Sequence, residues 1–547
     1  MTTTLYPARR IVTMNPNRPE AACVAVREGR ILGVGTREEL AQWGEYQVDE
    51  RFADKVLLPG FVEGHCHLMQ GTMWRFVYVG CHDRMDPEGR VWPGARTMQA
   101  IIERLKSAEA SLGDPAAPLV GWGFDPVTLG GSRCTREVLD AVSTQRGVLL
   151  LHASLHVMST NTSALQTGSL FRQGIEHAGI PLGHDGLPLG ELRGPDAMWP
   201  VAALAGLDRS LLVADEVGMR AFGRLCVRTG VTTAADLANP FPPGALEMML
   251  RVTDEPDYPT RIVSMLRLGA QSPADVVQAA VQMKAQSIDR LHLGFIKVVT
   301  DGSLQGLTSR LRWPGHFNGA PNGLWYIAPE ALRELFVHAL RAGVRVHIHT
   351  NGDQATDLAL DCMRDALAQA PAFDHRFTIQ HGQLCSESQF RRMRALGLCA
   401  NLFANHVYYW GDVHYEQTLG PERAERINAC VSARDAGVPF AIHSDAPVTP
   451  LSPLFTAWCA VNRLTSSGRL LGAAQRLSVA EALQAMTLGA AYTLGLDQEI
   501  GSIEAGKRAD FAVLEDDPLA CEPLALKDVR VWGVVQGGAV FQAPPAS

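Results

Sequence analysis

Two histidines one residue apart end an apolar stretch near the start of the chain. The stretch from Val56 to Leu68 reads VLLPGFVEGHCHL and closes on His65 and His67. Successive side chains of a β-strand point to opposite faces, so the two imidazoles would project together and Cys66 away from them. Such a pair can bind a metal ion, but with 17 histidines in 547 residues it can also arise by chance. The pair alone leaves both interpretations open.

Further ionisable residues stand at the ends of later apolar runs. These runs carry, in chain order, Lys297, then His347 and His349, then His381, then His443 and Asp445. A single residue of this kind is usually a hydrogen-bonded core histidine or a helix-capping aspartate. In a parallel barrel, however, the carboxyl ends of all strands meet at one mouth, where the side chains converge. Imidazole and carboxylate ligands suit zinc or a similar divalent cation, so the set favours a catalytic metal site.

Lys297 needs a separate explanation. In the run LHLGFIKVVTDGS it alternates in phase with Leu293, Phe295 and Val299, so it points where apolar side chains point. A buried lysine is costly unless a partner neutralises it. The residues themselves allow a salt bridge to an inward carboxylate or a modified, metal-bound lysine.

The middle of the chain alternates strand-like runs with helical stretches, which is typical of β/α units. Eight candidate strands are present, and eight is the number that closes a barrel. They are predicted at Val56–Val62, Val231–Asp236, Arg261–Leu266, Leu293–Val299, Val344–His349, Phe377–His381, Leu398–Leu402 and Pro439–His443. We therefore predict an α/β fold with a barrel over residues 56–499.

The two ends of the chain and one long interval do not belong to this alternation. Residues 1–55 and 500–547 are rich in short β-runs and turns, and we expect them to form one composite domain. About 170 residues separate the first two barrel strands, too many for one crossover. An insertion over about residues 75–215 is therefore predicted after the first strand.

Composition narrows the classes of function. A net charge of −8 and a pI near 6.1 offer no basic surface for nucleic acid or anionic membranes, so a small-molecule substrate is expected. The N-terminus lacks the apolar core of a signal peptide, and no apolar run is long enough to span a bilayer. Eleven cysteines without a CxxC pair suggest reduced thiols. These features predict a cytoplasmic enzyme.

The motif order now resembles a known family. PGFVEGHCH, FIKVVTDGS, HTNGD, QHGQ and HSDAPV, followed by GSIEAGKRADFAVLEDDP, are similar to the metal-dependent amidohydrolase superfamily over nearly the whole chain. The likeness is strongest to its YtcJ-like and N-substituted formamide deformylase branch. It implies a distorted (β/α)8 TIM barrel with a small composite β-sandwich built from both termini. Similar proteins are often homodimers.

The resemblance also implies roles for single residues. His65 and His67 would bind one metal, His349 and His381 a second, and Asp445 would contact metal and act as the acid and base. Lys297 matches the position that binuclear members carboxylate with CO2, so an N6-carboxylysine bridging the ions is expected. Two departures leave the choice between one and two zinc ions open: His443 replaces a common glycine, and His347 adds an imidazole.

The resemblance favours a hydrolase that cleaves a carbon–nitrogen bond of an amide, with N-substituted formamides included, by metal-activated water. Deaminases of the superfamily typically carry HxxE at the fifth strand, where this chain has HTNGD, so an aminohydrolase of a heterocycle is the alternative. A lyase or isomerase on the same site, or a non-catalytic homologue, is a weaker alternative.

Aromatic and polar residues around the predicted barrel mouth are candidates for substrate binding. The segment Asn401 to Asp412, NLFANHVYYWGD, is interpreted as an aromatic loop after the seventh strand. Such a loop offers an apolar wall with polar tips, although burial of the loop itself explains it equally well. The candidates are Trp74, His156, Phe403, His406, Tyr409 and His443.

Overall fold

A computed structural model describes residues 2–114, 116–155, 157–204 and 213–545. Its strands are β1 Thr3–Val12, β2 Glu20–Arg27, β3 Arg30–Gly35, β4 Tyr46–Val48, β5 Val56–Pro59, β6 Phe61–Cys66, β7 Val77–Tyr78, β8 Arg84–Met85, β9 Val91–Trp92, β10 Leu119–Phe124, β11 Val148–His152, β12 Val157–Thr160, β13 Glu191–Arg193, β14 Val231–Asn239, β15 Arg261–Arg267, β16 Leu291–Val299, β17 Arg345–Thr350, β18 Thr378–His381, β19 Cys399–Leu402, β20 Phe440–Ile442, β21 Phe511–Leu514, β22 Val531–Gln536 and β23 Ala539–Gln542.

The helices lie mostly between these strands. They are α1 Arg37–Leu40, α2 Met69–Met73, α3 Met98–Glu109, α4 Arg136–Asp140, α5 Thr162–Thr167, α6 Pro195–Leu204, α7 Glu216–Thr229, α8 Ala245–Asp254, α9 Pro273–Lys284, α10 Pro329–Ala342, α11 Asp353–Gln369, α12 Glu387–Leu396, α13 His406–Val413, α14 Pro421–Ala424, α15 Cys430–Asp435, α16 Pro453–Asn462, α17 Val479–Ala485 and α18 Leu488–Leu494.

The chain divides into two compact units, and the first comprises Met1–His67 with Gly223–Pro544. Within it, the described strands β6, β14, β15, β16, β17, β18, β19 and β20 form one parallel sheet in that order. Between β6 and β20 the circle is completed by a parallel bridge from Cys66 to Ala446. The His67 N–H donates to the carbonyl of Ala446 at 2.7 Å, and the Asp445 N–H donates to that of His65 at 3.0 Å. The predicted (β/α)8 barrel is confirmed.

Helices cover this sheet because their sequences have one apolar face. In α10 the side chains of Leu332, Leu335, Phe336 and Ala339 are buried, at the i, i+3, i+4 and i+7 spacing of one helix face. Proline occupies the first turn, and Gly343 ends the helix with a φ of 62°.

The two chain ends form a second sheet in the same unit. Its order is β23, β22, β21, β5, β1, β2, β3, with β4 on β1, so strands from both ends of the chain share one sheet. One predicted boundary is wrong: Val56–Val62 is two strands, because β5 pairs with β1 and β21 while β6 begins the barrel. The apolar run hides this break at Gly60. A Cβ on Gly60 would lie 2.0 Å from Thr232 Oγ1, so only glycine fits there.

The second unit spans Leu68–Phe222 and has its own mixed sheet, ordered β13, β12, β11, β10, β7. Trp122, Leu149, Leu151 and Met158 are buried in one cluster on this sheet. A second cluster on the same sheet contains Leu105 from α3. The unit therefore has a core of its own.

No helix among the described residues is long and apolar enough to cross a membrane. All eleven cysteines fall in the described ranges and are free thiols, as expected.

A buried ion pair joins the terminal sheet to the barrel, and its removal should destabilise the first unit. Arg261 of β15 and Asp510, beside β21, are 2% and 3% exposed, and Asp510 also accepts the N–H of Gly537 at 2.7 Å. Asp510→Ala leaves the guanidinium buried without its partner, so we expect about 3–5 kcal/mol less free energy of unfolding in urea titrations.

The control for this experiment is the exposed pair of Arg426 and Glu422, for which Glu422→Ala should change stability by at most about 1 kcal/mol. The double variant Arg261→Met, Asp510→Leu should recover most of the loss. An equally large loss in the double variant would contradict the ion-pair explanation.

Candidate metal centre

The carboxyl ends of the barrel strands bring most of the predicted ligands together. His65 lies in β6 and His67 directly follows it, while Asp445 follows β20. Asp445 Oδ1 lies 3.3 Å from His65 Nε2 and 3.4 Å from His67 Nε2. These three ligand atoms form a group that can hold a metal ion.

The far nitrogen of each imidazole is held by a hydrogen bond that orients the ring. His67 Nδ1 donates to the carbonyl oxygen of Leu237 at 2.7 Å, and His65 Nδ1 donates to Gln380 Oε1 at 2.7 Å. The Nε2 atoms therefore carry the lone pairs, and both face Asp445 Oδ1. Such bonds fix the tautomer and direction of metal-binding histidines.

A second group adds two imidazoles. His65, His381 and His443 also place one nitrogen each within 4.8 Å of one another. The His443 ring stacks on that of His65 with centroids 4.7 Å apart, and His381 Nδ1 lies 3.8 Å from Asp445 Oδ2. The His349 ring lies 4.5 Å from that of His381. The predicted ligands at four strand ends are thus neighbours.

Lys297, in β16, is buried at 2% exposure. Burial lowers its pKa to about 7, against the opposing attraction of the Asp445 carboxylate. A salt bridge, one of the two interpretations that the sequence left open, is absent from the ion pairs of the described residues, and Lys297 Nζ has no hydrogen-bond partner there. Of the two interpretations left open by the sequence, the environment favours a lysine that reacts or binds a ligand.

The donor set fits a divalent cation. Buried atoms without a hydrogen-bond partner among the described residues include Lys297 Nζ, His381 Nδ1, both ring nitrogens of His443 and Asp445 Oδ1. Burial lowers the pKa of His65 and His381 well below the usual range and that of His443 to about 3, so the rings are neutral and offer lone pairs. Although burial opposes it, the neighbouring His67 and Lys297 side chains lower the pKa of Asp445 and keep it a carboxylate. Buried lone pairs on neutral imidazoles around a carboxylate are what zinc binds.

The backbone is bent at two of these residues. His381 and Asp445 have φ angles of 70° and 53°, in the left-handed region that is costly for residues other than glycine. Both stand where a strand has just ended or is about to end. The bends turn their side chains toward the common centre.

Four polar residues that the sequence prediction did not include support the ligands: Gln380, Asn401, Glu63 and Asp301. Gln380 Oε1 also accepts from Asn401 Nδ2 at 3.0 Å, and its Nε2 donates to His347 Nδ1 at 2.6 Å. Glu63 accepts from Ser444 Oγ at 2.7 Å, and burial raises its pKa to about 7. Glu63 lies two residues before His65 and therefore on the same face of the strand. This spacing is the feature of the sequence that could have identified Glu63.

Asp301 is the fourth missed residue and is fully buried. Its carboxylate accepts N–H bonds from Asn351 at 3.0 Å and from Gly352 and Arg310 at 2.9 Å each. Burial raises its pKa to about 7 against these hydrogen bonds. Asp301 thereby ties the loop after β16 to the loop after β17, which follows His349. His349 Nε2 lies 3.1 Å from both the carbonyl oxygen of Gly302 and Nδ2 of Asn351, so the two loops also hold this imidazole.

The predicted substrate-binding residues fall into different environments. Phe403 lies 4.7 Å from the ring of His443 and 4.7 Å from that of His406, whereas Tyr409 packs on Phe455 at 6.0 Å. Trp74 belongs to the second unit, where its ring lies 5.3 Å from Trp122. His156 lies outside the described residues.

The prediction of a loop over residues 401–412 is wrong. Strand β19 extends to Leu402 and helix α13 begins at His406, because His406, Val407 and Trp410 bury one face at helical spacing.

Comparison with known proteins agrees with this architecture. The sequence profile of the amidohydrolase family matches residues 53–542. N-substituted formamide deformylase of Arthrobacter pascens is 27% identical over 95% of this chain and 94% of its own length. The putative amidohydrolase YtcJ of Bacillus subtilis is 25% identical over 97% of each chain.

A solved structure shares the fold. The crystal structure of an uncharacterized metal-dependent hydrolase from Pyrococcus horikoshii superposes with a TM-score of 0.71 at 20% identity, covering 95% of this chain and 99% of its own. The profile match over most of the chain confirms the resemblance to the YtcJ-like branch. The chain belongs to the amidohydrolase family.

Proposed function

We propose that this protein is a metal-dependent hydrolase that cleaves the carbon–nitrogen bond of an amide. The observation that carries the proposal is the approach of His65 Nε2 and His67 Nε2 to Asp445 Oδ1 within 3.4 Å, with the lone pairs of all three facing each other. The neighbouring His349 and His381 provide ligands for a second ion. Zinc is the metal proposed, because imidazole nitrogens dominate the set.

A divalent cation at this place supplies Lewis acidity, which polarises a carbonyl and lowers the pKa of water. The protein's own groups must move the proton. In amide hydrolysis the carbonyl carbon gains an oxygen from water, the C–N bond breaks, and the departing nitrogen gains a proton. Asp445 is ionised, so the oxygen that does not face the two Nε2 atoms, Oδ2, can accept the water proton and deliver it to nitrogen.

Carboxylation of Lys297 is part of the proposal. A pKa near 7 leaves a substantial fraction of neutral amine at neutral pH, and a neutral amine adds to CO2. The carbamate, which releases one proton on forming, replaces a buried cation with an anion. An anion there would be balanced by dications held by the surrounding histidines.

The amide class rests on two supports. N-substituted formamide deformylase is a relative along nearly its whole length, and its name states an amide substrate. Phe403, His406 and Trp410 form an aromatic wall beside His443, which suits an apolar substituent with a polar carbonyl. We therefore propose N-substituted formamides as the first class to assay, with heterocycle deamination as the competing reaction.

Removal of metal should abolish activity. Dialysis against a chelator is expected to leave inactive protein, and zinc should restore turnover of a panel of N-formyl amines, N-acyl amines, lactams and aminated heterocycles. Metal content and product release are measured on the same samples. Metal-free protein that keeps its activity would contradict the proposal, and zinc-loaded protein that releases only ammonia from heterocycles would replace it with deamination.

Asp445→Asn should lower kcat by about 10²–10⁴-fold, because the amide keeps the shape of the carboxylate but cannot take a proton. At least one metal equivalent should remain on the histidines, measured by elemental analysis. Asp516→Asn, at an exposed aspartate, is the matched control and should leave kcat unchanged. An Asp445→Asn enzyme with most of its activity would show that another group moves the proton.

Asp301→Asn should weaken metal binding by about 10–100-fold, because the loop that follows His349 loses a carboxylate that accepts three N–H bonds. Competition with a chromogenic chelator measures the affinity. Asp357→Asn removes a carboxylate that pairs with Arg312 and Arg392 away from the site, and it should leave metal affinity unchanged. Equal affinity in both variants would exclude a positioning role for Asp301.

A further inference from the structure

A chain of hydrogen bonds starts at the aromatic wall and runs through buried side chains. His406 Nδ1 lies 3.0 Å from His414 Nε2, and His414 Nδ1 lies 2.6 Å from Thr418 Oγ1. The three side chains are at most 3% exposed, and the two rings are nearly parallel, at 6°. His414–Thr418 is a π-helical turn, a rare conformation that often marks functional sites.

The hydroxyl of Thr418 sets the direction of this chain. The carbonyl of His414, its natural acceptor one turn back, already accepts the N–H groups of Leu419 at 3.0 Å and Gly420 at 3.1 Å. Among the hydrogen bonds of the described residues, the hydroxyl contacts only His414 Nδ1. A buried hydroxyl donates its proton to an available acceptor, so Thr418 donates to His414 Nδ1.

The positions of the ring hydrogens of His414 and His406 follow from the valence of a neutral imidazole. Burial lowers the pKa of His414 to about 3 and that of His406 well below its usual range, so both rings are neutral and carry one N–H each. If His414 Nδ1 accepts, its Nε2 carries the hydrogen and donates to His406 Nδ1. His406 Nδ1 then accepts, and the hydrogen of His406 must be on Nε2.

His406 stands beside the candidate metal centre without belonging to it. Its ring packs on Phe403 at 4.7 Å and on Trp410 at 4.4 Å, and Phe403 stacks on His443. The rings are near enough that a positive charge on His443 would lower the pKa of His406, and a positive charge on His406 would lower the pKa of His381. None of the hydrogen bonds found among the described residues uses His406 Nε2.

We propose that Thr418 and His414 hold His406 as a neutral N–H donor that binds the carbonyl oxygen of the substrate. His406 is then a catalytic residue, and Thr418 and His414 are positioning residues that act through it. The proposal rests on the proposed hydrolysis of an amide and adds that the substrate presents an oxygen acceptor at this wall. A donor held in place before the reaction stabilises the negative charge that develops on that oxygen.

The first test is independent of activity. In zinc-loaded protein with ¹⁵N-labelled histidine, assigned by comparison with His406→Gln, the His406 signals should show a protonated Nε2. Thr418→Val keeps the shape of the side chain but removes the hydroxyl, and it should populate the Nδ1–H tautomer. Thr418→Ser should keep the wild-type signals. A protonated Nδ1 in the wild type, or no change in Thr418→Val, would overturn the relay.

The second test measures turnover of the panel substrate that the wild type hydrolyses fastest. Thr418→Val should lower kcat on the order of tenfold, and His406→Leu about 10²-fold, with KM and metal content near those of the wild type. His406→Gln, which retains an N–H donor, should recover part of the loss. Thr253→Val removes another buried threonine hydroxyl, bonded to the carbonyl of Met249 at 2.7 Å, and should leave kcat unchanged.

The two tests separate the possible failures. Equal kcat in His406→Leu and the wild type would overturn the substrate contact even if the relay is seen by NMR. A wild-type protein that hydrolyses none of the amides would disprove the proposed function and the substrate contact together, while the ¹⁵N signals would still decide the relay.

Discussion

The candidate site depends on how the first and last barrel strands meet. The Asp445 N–H donates to the carbonyl of His65 and the His67 N–H to that of Ala446, which completes the circle of strands. These two backbone hydrogen bonds join segments that lie far apart in the sequence. They place the Asp445 carboxylate against both Nε2 atoms, so closure of the barrel and assembly of the ligand set are the same event.

Burial explains the chemistry of the ligands as much as their positions do. Desolvation disfavours charge, so it keeps the imidazoles of His65, His381 and His443 neutral. It also lowers the pKa of Lys297 to about 7. The lone pairs left without hydrogen bonds are costly in an apolar interior. A bound dication would satisfy them, and folding stability should therefore be linked to metal occupancy.

The sequence predicts that these side chains lie together because their pattern is local. Each lies at the end of an apolar run, and strand alternation places its side chain, as with His65 and His67. The sequence does not predict hydrogen bonds between residues that are distant in the chain. Nothing near Asp301 in the sequence indicates that its carboxylate accepts from the N–H groups of Asn351 and Gly352. The run Val56–Val62 hides two strands because its hydrophobicity continues through Gly60. Helix α13 was interpreted as a loop because aromatic residues on both of its faces obscure the helical period.

The terminal sheet has a consequence for synthesis of the chain. Strand β5 pairs on one side with β1 and on the other with β21, which the ribosome makes about 450 residues later. At about 5–20 residues per second, β5 keeps one unpaired edge for roughly 20 to 90 seconds, and such edges recruit strands from other chains. Protection of this edge by a chaperone during synthesis would therefore limit pairing with strands of other chains.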